Sequence, residues 1–130
     1  ISVAMIAIVQ DRNLRSIRDL DHRHTAMLTR VLSQCHQAIE SRYGVPRDTI
    51  RAFFHYLPTF YHLHMHLVSI QRADMTSIPI AKAVLVDDVL DNIALKHDYY
   101  QTQALSFVLG EQQELWARFQ QHHRDTPANE

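Results

Sequence analysis

HLHMHLV, residues 62–68, places three histidines at every second position with an apolar residue between each pair. Side chains of a β-strand alternate between its two faces, so this spacing predicts a strand with His62, His64 and His66 on one face. The three apolar residues between and after them are then expected to face the core. The outer two histidines of this histidine row would lie roughly 13 Å apart along the strand. That separation limits the chemistry that the row can perform.

The composition is that of one globular domain, with 130 residues, 46% of them hydrophobic, and a formal net charge of -1. Because basic residues are not in excess, we expect neither duplex DNA nor an anionic membrane surface as a partner. The early apolar run VAMIAIV is far shorter than the roughly 20 residues of a spanning helix and lacks the features of a signal peptide. Cys35 is the only cysteine, which suits a reducing compartment, the cytoplasm or the nucleus. The start on Ile1 leads us to expect a piece of a longer protein.

Hydrophobic periodicity predicts the elements of the first half of the chain. Residues 1–9 are apolar and β-branched, which favours a buried strand. Apolar residues at three- and four-residue steps predict a helix over 21–43, which Asp21 would cap and Gly44 would end. Aromatic and β-branched residues predict strands over 50–57 and 62–70 that form an antiparallel pair.

The second half is predicted to hold a loop over 72–79, a helix over 80–96, a strand over 103–109 and a helix over 111–123 that packs Leu115, Trp116 and Phe119. This order of elements predicts a single α+β domain with an antiparallel sheet and packed helices. The remaining histidines apart from His55 are expected to be structural. We expect helix positions open to solvent for His22, His24 and His36. We expect a turn at His97, and the frayed end for His122 and His123.

A metal ion fits the histidine row poorly. Tetrahedral zinc needs Zn–N bonds of about 2.0–2.1 Å, and two alternating histidines can supply two of them, but the third would have to strain to reach the same ion. Asp74 is the one acidic residue in the following loop, and Cys35 belongs to a helix face with core character. We therefore expect no metal, with zinc as one alternative. A second alternative is that the histidines only hydrogen-bond to backbone or water.

A polyphosphate fits the row better, because phosphoryl oxygens repeat along a line and each can accept a hydrogen bond from a different imidazole. The middle histidine is then placed to attack phosphorus and form a covalent intermediate, which splits one difficult displacement into two. Its neighbours would donate to the developing charge and to the leaving group. Gly44 and Gly110 are the only glycines, so a glycine-rich phosphate loop is excluded.

HLHMHLV resembles the signature of the histidine triad superfamily. Its flanks narrow the resemblance, because NLRSIRDL, HYLP, FYHLHMH and YYQTQALSFVL are similar to segments in the carboxy-terminal half of the scavenger mRNA decapping enzymes. The likeness runs from about residue 3 to about residue 119. It implies a histidine-triad-like sheet, with 1–123 as one catalytic domain of a longer protein and 124–130 as a frayed tail.

The resemblance also implies an activity that needs no cofactor. Family members cleave the triphosphate bridge of the m7G cap dinucleotide or of short capped RNA and release m7GMP. His64 matches the nucleophile, while His62 and His66 match the flanking members, with His66 assisting the leaving group. Further positions match residues that bind the substrate phosphates, namely His55, Thr59, Tyr61 and Lys82. The family further implies a homodimer.

This chain departs from the family at the phosphate site and upstream of it. Phe60 stands where the family carries Tyr, Thr59 replaces Ser, and Lys82 stands where an Arg reaches the ligand, which keeps the charge but loses the bidentate fork. The aromatic and acidic groups that hold the methylated base precede residue 1, so we expect the isolated chain to turn over cap weakly or not at all. Two other functions remain open. One is a general triad hydrolase of adenine nucleotides, and the other is a non-catalytic paralogue that binds cap or regulates an active partner.

Overall fold

A computed structural model describes residues 2–71 and 82–125. The strands are β1 (Ala4–Ile8), β2 (Ile50–His55), β3 (His64–Ser69) and β4 (Ala83–Leu85). Over the two described ranges they form one antiparallel sheet, in which β3 lies between β1 and β2 and β4 pairs with the other side of β2. The predicted α+β class with an antiparallel sheet is confirmed.

The helices are α1 (Thr25–Tyr43), α2 (Val86–Leu95), α3 (Tyr99–Thr102) and α4 (Glu114–Asp125), with short 3-10 turns at Ile17–Asp19, His22–His24 and Arg47–Thr49. In the part of the chain that the structure describes, no helix is long and apolar enough to cross a membrane. The core forms where α1 and α2 cover one face of the sheet, and its fully buried members include Leu28, Ile39, Met65, Leu67 and Ile93.

The predicted helix over 21–43 is confirmed, apart from its first turn. The Asp21 side chain accepts the Arg23 N–H, but the next three residues form a 3-10 turn before α1 begins. At the other end Gly44 adopts the left-handed conformation, with φ 66°, and donates its N–H to the Glu40 carbonyl at 2.8 Å. Glycine has no Cβ, so it takes this conformation without a steric cost.

Two predictions about the histidines outside the row are wrong. His36 is only 8% exposed, because it follows Leu32 by four residues and shares its core-facing side of α1. Burial is the main cause that lowers the pKa of His36. His122 and His123 do not lie in a frayed end but inside α4.

The strands over 1–9, 50–57 and 62–70 are confirmed with shorter ends, whereas the segment after β3 differs from prediction. Ala83–Leu85 is a strand and not part of a helix, because it pairs with Phe53–His55. The helix begins at Val86 and ends at Leu95. The predicted loop over 72–79, like residues 80 and 81, lies outside the described residues.

The carboxy-terminal predictions are partly wrong. Residues 103–109 form no strand, since this segment finds no ladder partner among the described residues and the Gln103 carbonyl instead accepts a hydrogen bond from Arg18. α4 exists but does not bury the predicted apolar side chains in the core. Leu115 and Phe119 are exposed, and Phe119 packs beside Phe107 with ring centroids 6.2 Å apart. Residues 126–130 are outside the described ranges.

Candidate active site

The alternation in residues 62–68 sorts side chains between the two faces of β3 as predicted. Leu63, Met65 and Leu67 are buried in the core, while His64 and His66 lie on the opposite, outer face. The register places Ile8 of β1 opposite His64. In β2, Phe53 lies opposite His66.

His62 does not continue the row, because it precedes β3 and lies in a bend. Its Nε2–H donates to the Val9 carbonyl at the end of β1. Hydrogen bonds also fix the main chain of the next residue, Leu63. Its N–H donates to the Leu14 carbonyl at 2.9 Å, and its carbonyl accepts the Val9 N–H at 3.1 Å. His62 therefore anchors the entry to β3, and the predicted row of three becomes a pair.

The tautomer of His64 follows from its hydrogen bond. Its Nδ1 lies 2.7 Å from the His62 carbonyl oxygen, which can only accept, so Nδ1 carries the hydrogen. In the neutral ring Nε2 then holds a free lone pair. The His64 side chain is only 6% exposed, and one face of its ring is stacked on Phe60. The ring is thus held at its Nδ1 edge and on one face.

His55 of β2 joins the pair and completes an imidazole cluster, by which we mean His55, His64 and His66. The His66 ring centroid lies 4.3 Å from that of His55 and 5.1 Å from that of His64. Phe53 stacks on His66, with centroids 5.2 Å apart and planes 8° apart. The Nε2 atoms of both His55 and His66 are buried without a hydrogen-bond partner among the described residues.

The electrostatics of the cluster keep two of its rings neutral. Burial, followed by the neighbouring His55 and His64, lowers the pKa of His66 to about 4. Burial is also the main cause that lowers the pKa of His55, with Lys82 and His64 as further causes. Near pH 7 both rings are uncharged, and each has one nitrogen ready to donate or accept a hydrogen bond. A buried polar atom left unpaired costs free energy, so this pair of nitrogens favours a ligand with complementary polar oxygens.

The remaining predicted site residues lie in the loop before β3 and beside the end of β2. Thr59 and Tyr61 are exposed in the loop that joins β2 to β3. The Lys82 carbonyl accepts the Tyr56 N–H at 2.8 Å, which places Lys82 beside the end of β2 and next to His55. Over residues 2–71 and 82–125, no group of three His, Cys, Asp or Glu residues is arranged to hold a metal ion.

Arg18 and Tyr56 are supporting residues that sequence reasoning missed. The Arg18 Nε donates to the Tyr56 hydroxyl at 3.1 Å, and its guanidinium lies 5.3 Å from the centre of the Tyr56 ring. Its Nη1 donates to the carbonyls of Tyr100 at 2.9 Å and Gln103 at 2.7 Å. Arg18 thus joins the residue directly after His55 to the segment after α3. These contacts are distant in sequence, so no local pattern could have revealed them.

Comparison with known proteins gives a consistent set of relatives. The family model described as "Scavenger mRNA decapping enzyme C-term binding" matches residues 2–78. The chain is 39% identical over 112 residues to an m7GpppX diphosphatase of Ascaris suum, a match that covers 86% of this chain and 37% of the relative. The corresponding enzyme of Bos taurus is 34% identical over 120 residues, covering 92% of this chain and 35% of the relative. The Homo sapiens enzyme is 35% identical over 105 residues, covering 81% and 31%. The chain therefore spans about a third of the length of these relatives.

Proposed function

This chain belongs to the scavenger mRNA decapping enzyme family, and from that premise we propose that its imidazole cluster hydrolyses the triphosphate bridge of the m7G cap dinucleotide or of short capped RNA. The relatives are m7GpppX diphosphatases, which agrees with this substrate class. The observation that carries the proposal is the Nδ1–H of buried His64, which leaves Nε2 as the acceptor nitrogen of the neutral ring, beside two imidazole nitrogens that have no hydrogen-bond partner among the described residues.

In the first step the His64 Nε2 lone pair attacks the phosphorus that bears the methylated guanosine. The N–P bond forms while the bond from that phosphorus to the bridging oxygen breaks, and the oxygen leaves with the electron pair as the end of a diphosphate. Nδ1 keeps its hydrogen and its bond to the His62 carbonyl, so the His64 ring carries one positive charge. His66 donates a hydrogen bond to the leaving oxygen, which stabilises the charge that develops there.

In the second step water replaces the imidazole. Its oxygen attacks the same phosphorus, the N–P bond returns its electron pair to Nε2, and one proton is released to solvent. The product is m7GMP, and His64 regains the state in which it started. Two successive displacements of this kind are the usual benefit of a covalent nucleophile.

The surrounding residues act on the phosphates in this proposal. His55 offers a neutral N–H to a phosphoryl oxygen, and Lys82 supplies a positive charge near it. The hydroxyls of Thr59 and Tyr61 extend from the loop before β3 and donate to the more distant phosphates. Phe60 cannot donate such a bond, so these contacts are fewer than the family pattern implies.

The test detects the covalent intermediate on His64 directly. The full-length protein is mixed with cap dinucleotide in EDTA under single-turnover conditions, and the reaction is quenched in base. The mass of the peptide that contains His64 is then measured by mass spectrometry. We expect a transient mass increase of one m7GMP unit on that peptide, followed by free m7GMP. His64→Asn should abolish both, whereas His122→Asn, a change on the exposed face of α4, should abolish neither.

The contradicting results are distinct. Hydrolysis that survives His64→Asn would exclude this nucleophile, and hydrolysis that EDTA stops would favour a metal site. Binding of the dinucleotide without any release of m7GMP would replace the enzyme by a cap-binding or regulatory paralogue.

A further inference from the structure

Phe60 makes a contact with the nucleophile that its exposure does not explain. Its ring is stacked on the His64 imidazole, with centroids 4.3 Å apart and planes 14° apart. Yet Phe60 is 51% exposed, so burial in the core does not hold it there. A half-exposed aromatic side chain in a loop, placed flat on a buried imidazole, indicates a use for that face of the ring.

Stacking is compatible with nucleophilic attack. The Nε2 lone pair of an imidazole points outward in the plane of the ring, whereas Phe60 covers only the face. The Nδ1 edge is held by the His62 carbonyl, and His66 approaches with its plane at 63°. The ring is therefore fixed at one edge and one face, and neither contact involves Nε2.

We propose that Phe60 is a positioning residue whose π face stabilises the positive charge that the His64 ring acquires when it becomes bonded to phosphorus. The inference rests on the proposed role of His64 as nucleophile. As the N–P bond forms and the P–O bond breaks, Nδ1 keeps its hydrogen, so the ring passes from neutral to cationic. The face of an aromatic ring is negative, and a cation within about 6 Å of its centre is attracted to it.

The other groups near His64 offer little compensation for that charge. His66 on the same strand and His55 on β2 are neutral near pH 7, and β1 faces the ring with apolar Ile8. Lys82 carries a charge of the same sign. No Asp or Glu forms an ion pair with His64 within the described ranges. Among the described residues, the His62 carbonyl and the Phe60 ring are therefore the negative groups that contact the reacting imidazole.

This role requires an aromatic face at position 60 but no hydroxyl. A tyrosine there would keep the same ring face and add a donor for phosphate, whereas phenylalanine keeps the face alone. Phe60→Tyr is accordingly the conservative variant, and Phe60→Leu fills similar space without a π face.

The test varies the electrostatics of the ring with little change of shape. In the full-length protein Phe60 is replaced by phenylalanines that carry one, two or five ring fluorines, which progressively remove the negative charge of the face. We expect the rate of covalent intermediate formation to fall by about fivefold in total across the series, with its logarithm decreasing steadily and KM unchanged. Phe60→Leu should show the full loss and Phe60→Tyr should restore the rate. The same fluorinated series at Phe107 is the matched control and should have no effect. A flat series at position 60 would overturn the inference, because a role in packing alone predicts it.

A second measurement separates this inference from the decapping proposal. Diethyl pyrocarbonate acylates His64 without any cap substrate: Nε2 attacks a carbonyl carbon, the N–C bond forms, the C–O bond breaks, and ethyl carbonate leaves while the ring becomes cationic. The rate at His64, read by mass spectrometry, should fall along the fluorinated series, and the rate at His122 should not. If the protein fails to hydrolyse cap but the acylation rates follow the series, the decapping proposal fails and the charge stabilisation stands. If the acylation rate at His64 does not change along the fluorinated series, the inference is overturned even when the enzyme is active.

Discussion

The two faces of β3 differ in what their side chains contact, although they share one six-residue stretch of backbone. On the core face, Met65 and Leu67 are fully buried against other apolar side chains. On the outer face, His64 and His66 are held by ring stacking and one backbone hydrogen bond, and the Nε2 of His66 has no partner among the described residues. The core face stabilises the fold, whereas the outer face holds imidazole nitrogens that are available for hydrogen bonds.

Buried hydrogen-bonding atoms that lack a partner lower the stability of the folded state. A buried donor or acceptor without a partner costs about 1–3 kcal/mol, and the nitrogens of His55 and His66 both have this character. Such departures from complete satisfaction are expected at functional sites, where a ligand later supplies the missing partner. Substitutions on the two faces should therefore separate activity from stability.

The largest expected effect is on the outer face. His64→Asn removes the nucleophilic lone pair and should lower single-turnover hydrolysis by the full-length protein by about 1,000-fold or more, the scale seen when a covalent nucleophile is removed. The midpoint of thermal unfolding should change little, because the ring packs on the outer face of β3 and not in the hydrophobic core. A large loss of thermal stability in this variant would contradict the division between the faces.

The next effect is on the core face. Met65→Ala leaves a cavity in the centre of the sheet packing and should lower the free energy of unfolding by about 2–5 kcal/mol, as measured by urea titration. Met27→Ala is the matched control, since Met27 is only partly buried, and it should cost less. Equal losses in the two variants would show that the core face of β3 is not the centre of stability.

The two faces could be predicted from sequence because a two-residue period is a local property, and residues 62–67 display it without interruption. Other features depended on distant contacts. The segment Ala83–Val86 is apolar and β-branched at a length that suits a strand or a helix, and only pairing with β2 decides where α2 begins. His36 has the spacing of a core residue, but its polarity suggested solvent. His62 lies before β3 and its ring is hydrogen-bonded to the carbonyl of Val9, directly after β1, a contact that no local pattern predicts.

A smaller effect is expected where Arg18 supports the outer face. Arg18→Gln removes charged hydrogen bonds to Tyr56 and to two carbonyls and should lower the free energy of unfolding by about 1.5–3 kcal/mol. Tyr56→Phe should cost about 0.5–1.5 kcal/mol. In a double-mutant cycle, the double variant should lose less free energy of unfolding than the sum of the two single losses, because the residues share one hydrogen bond.

Arg15→Gln is the matched control for that cycle. Arg15 is exposed and contacts Asp19 at 3.7 Å, so its replacement should change stability by less than about 0.5 kcal/mol. Additive losses from Arg18 and Tyr56 would show that the guanidinium supports the segment after α3 without fixing the end of β2.

The last effect is the pH dependence that the neutral outer face imposes on stability, and it is small at pH 7 because it develops only at acidic pH. An unfolded His66 takes up a proton near pH 6.5, but the folded residue does so only near its pKa of about 4. Between these values the unfolded chain binds more protons, so the free energy of unfolding falls as the pH is lowered through this window. His66→Gln removes this proton uptake and should flatten the curve from urea titrations at several pH values. Part of the slope should remain, since burial also lowers the pKa of His55. An unchanged curve would mean that His66 is solvated and charged in acid, and its nitrogen would then not be the unpaired, neutral group that distinguishes the outer face from the core face.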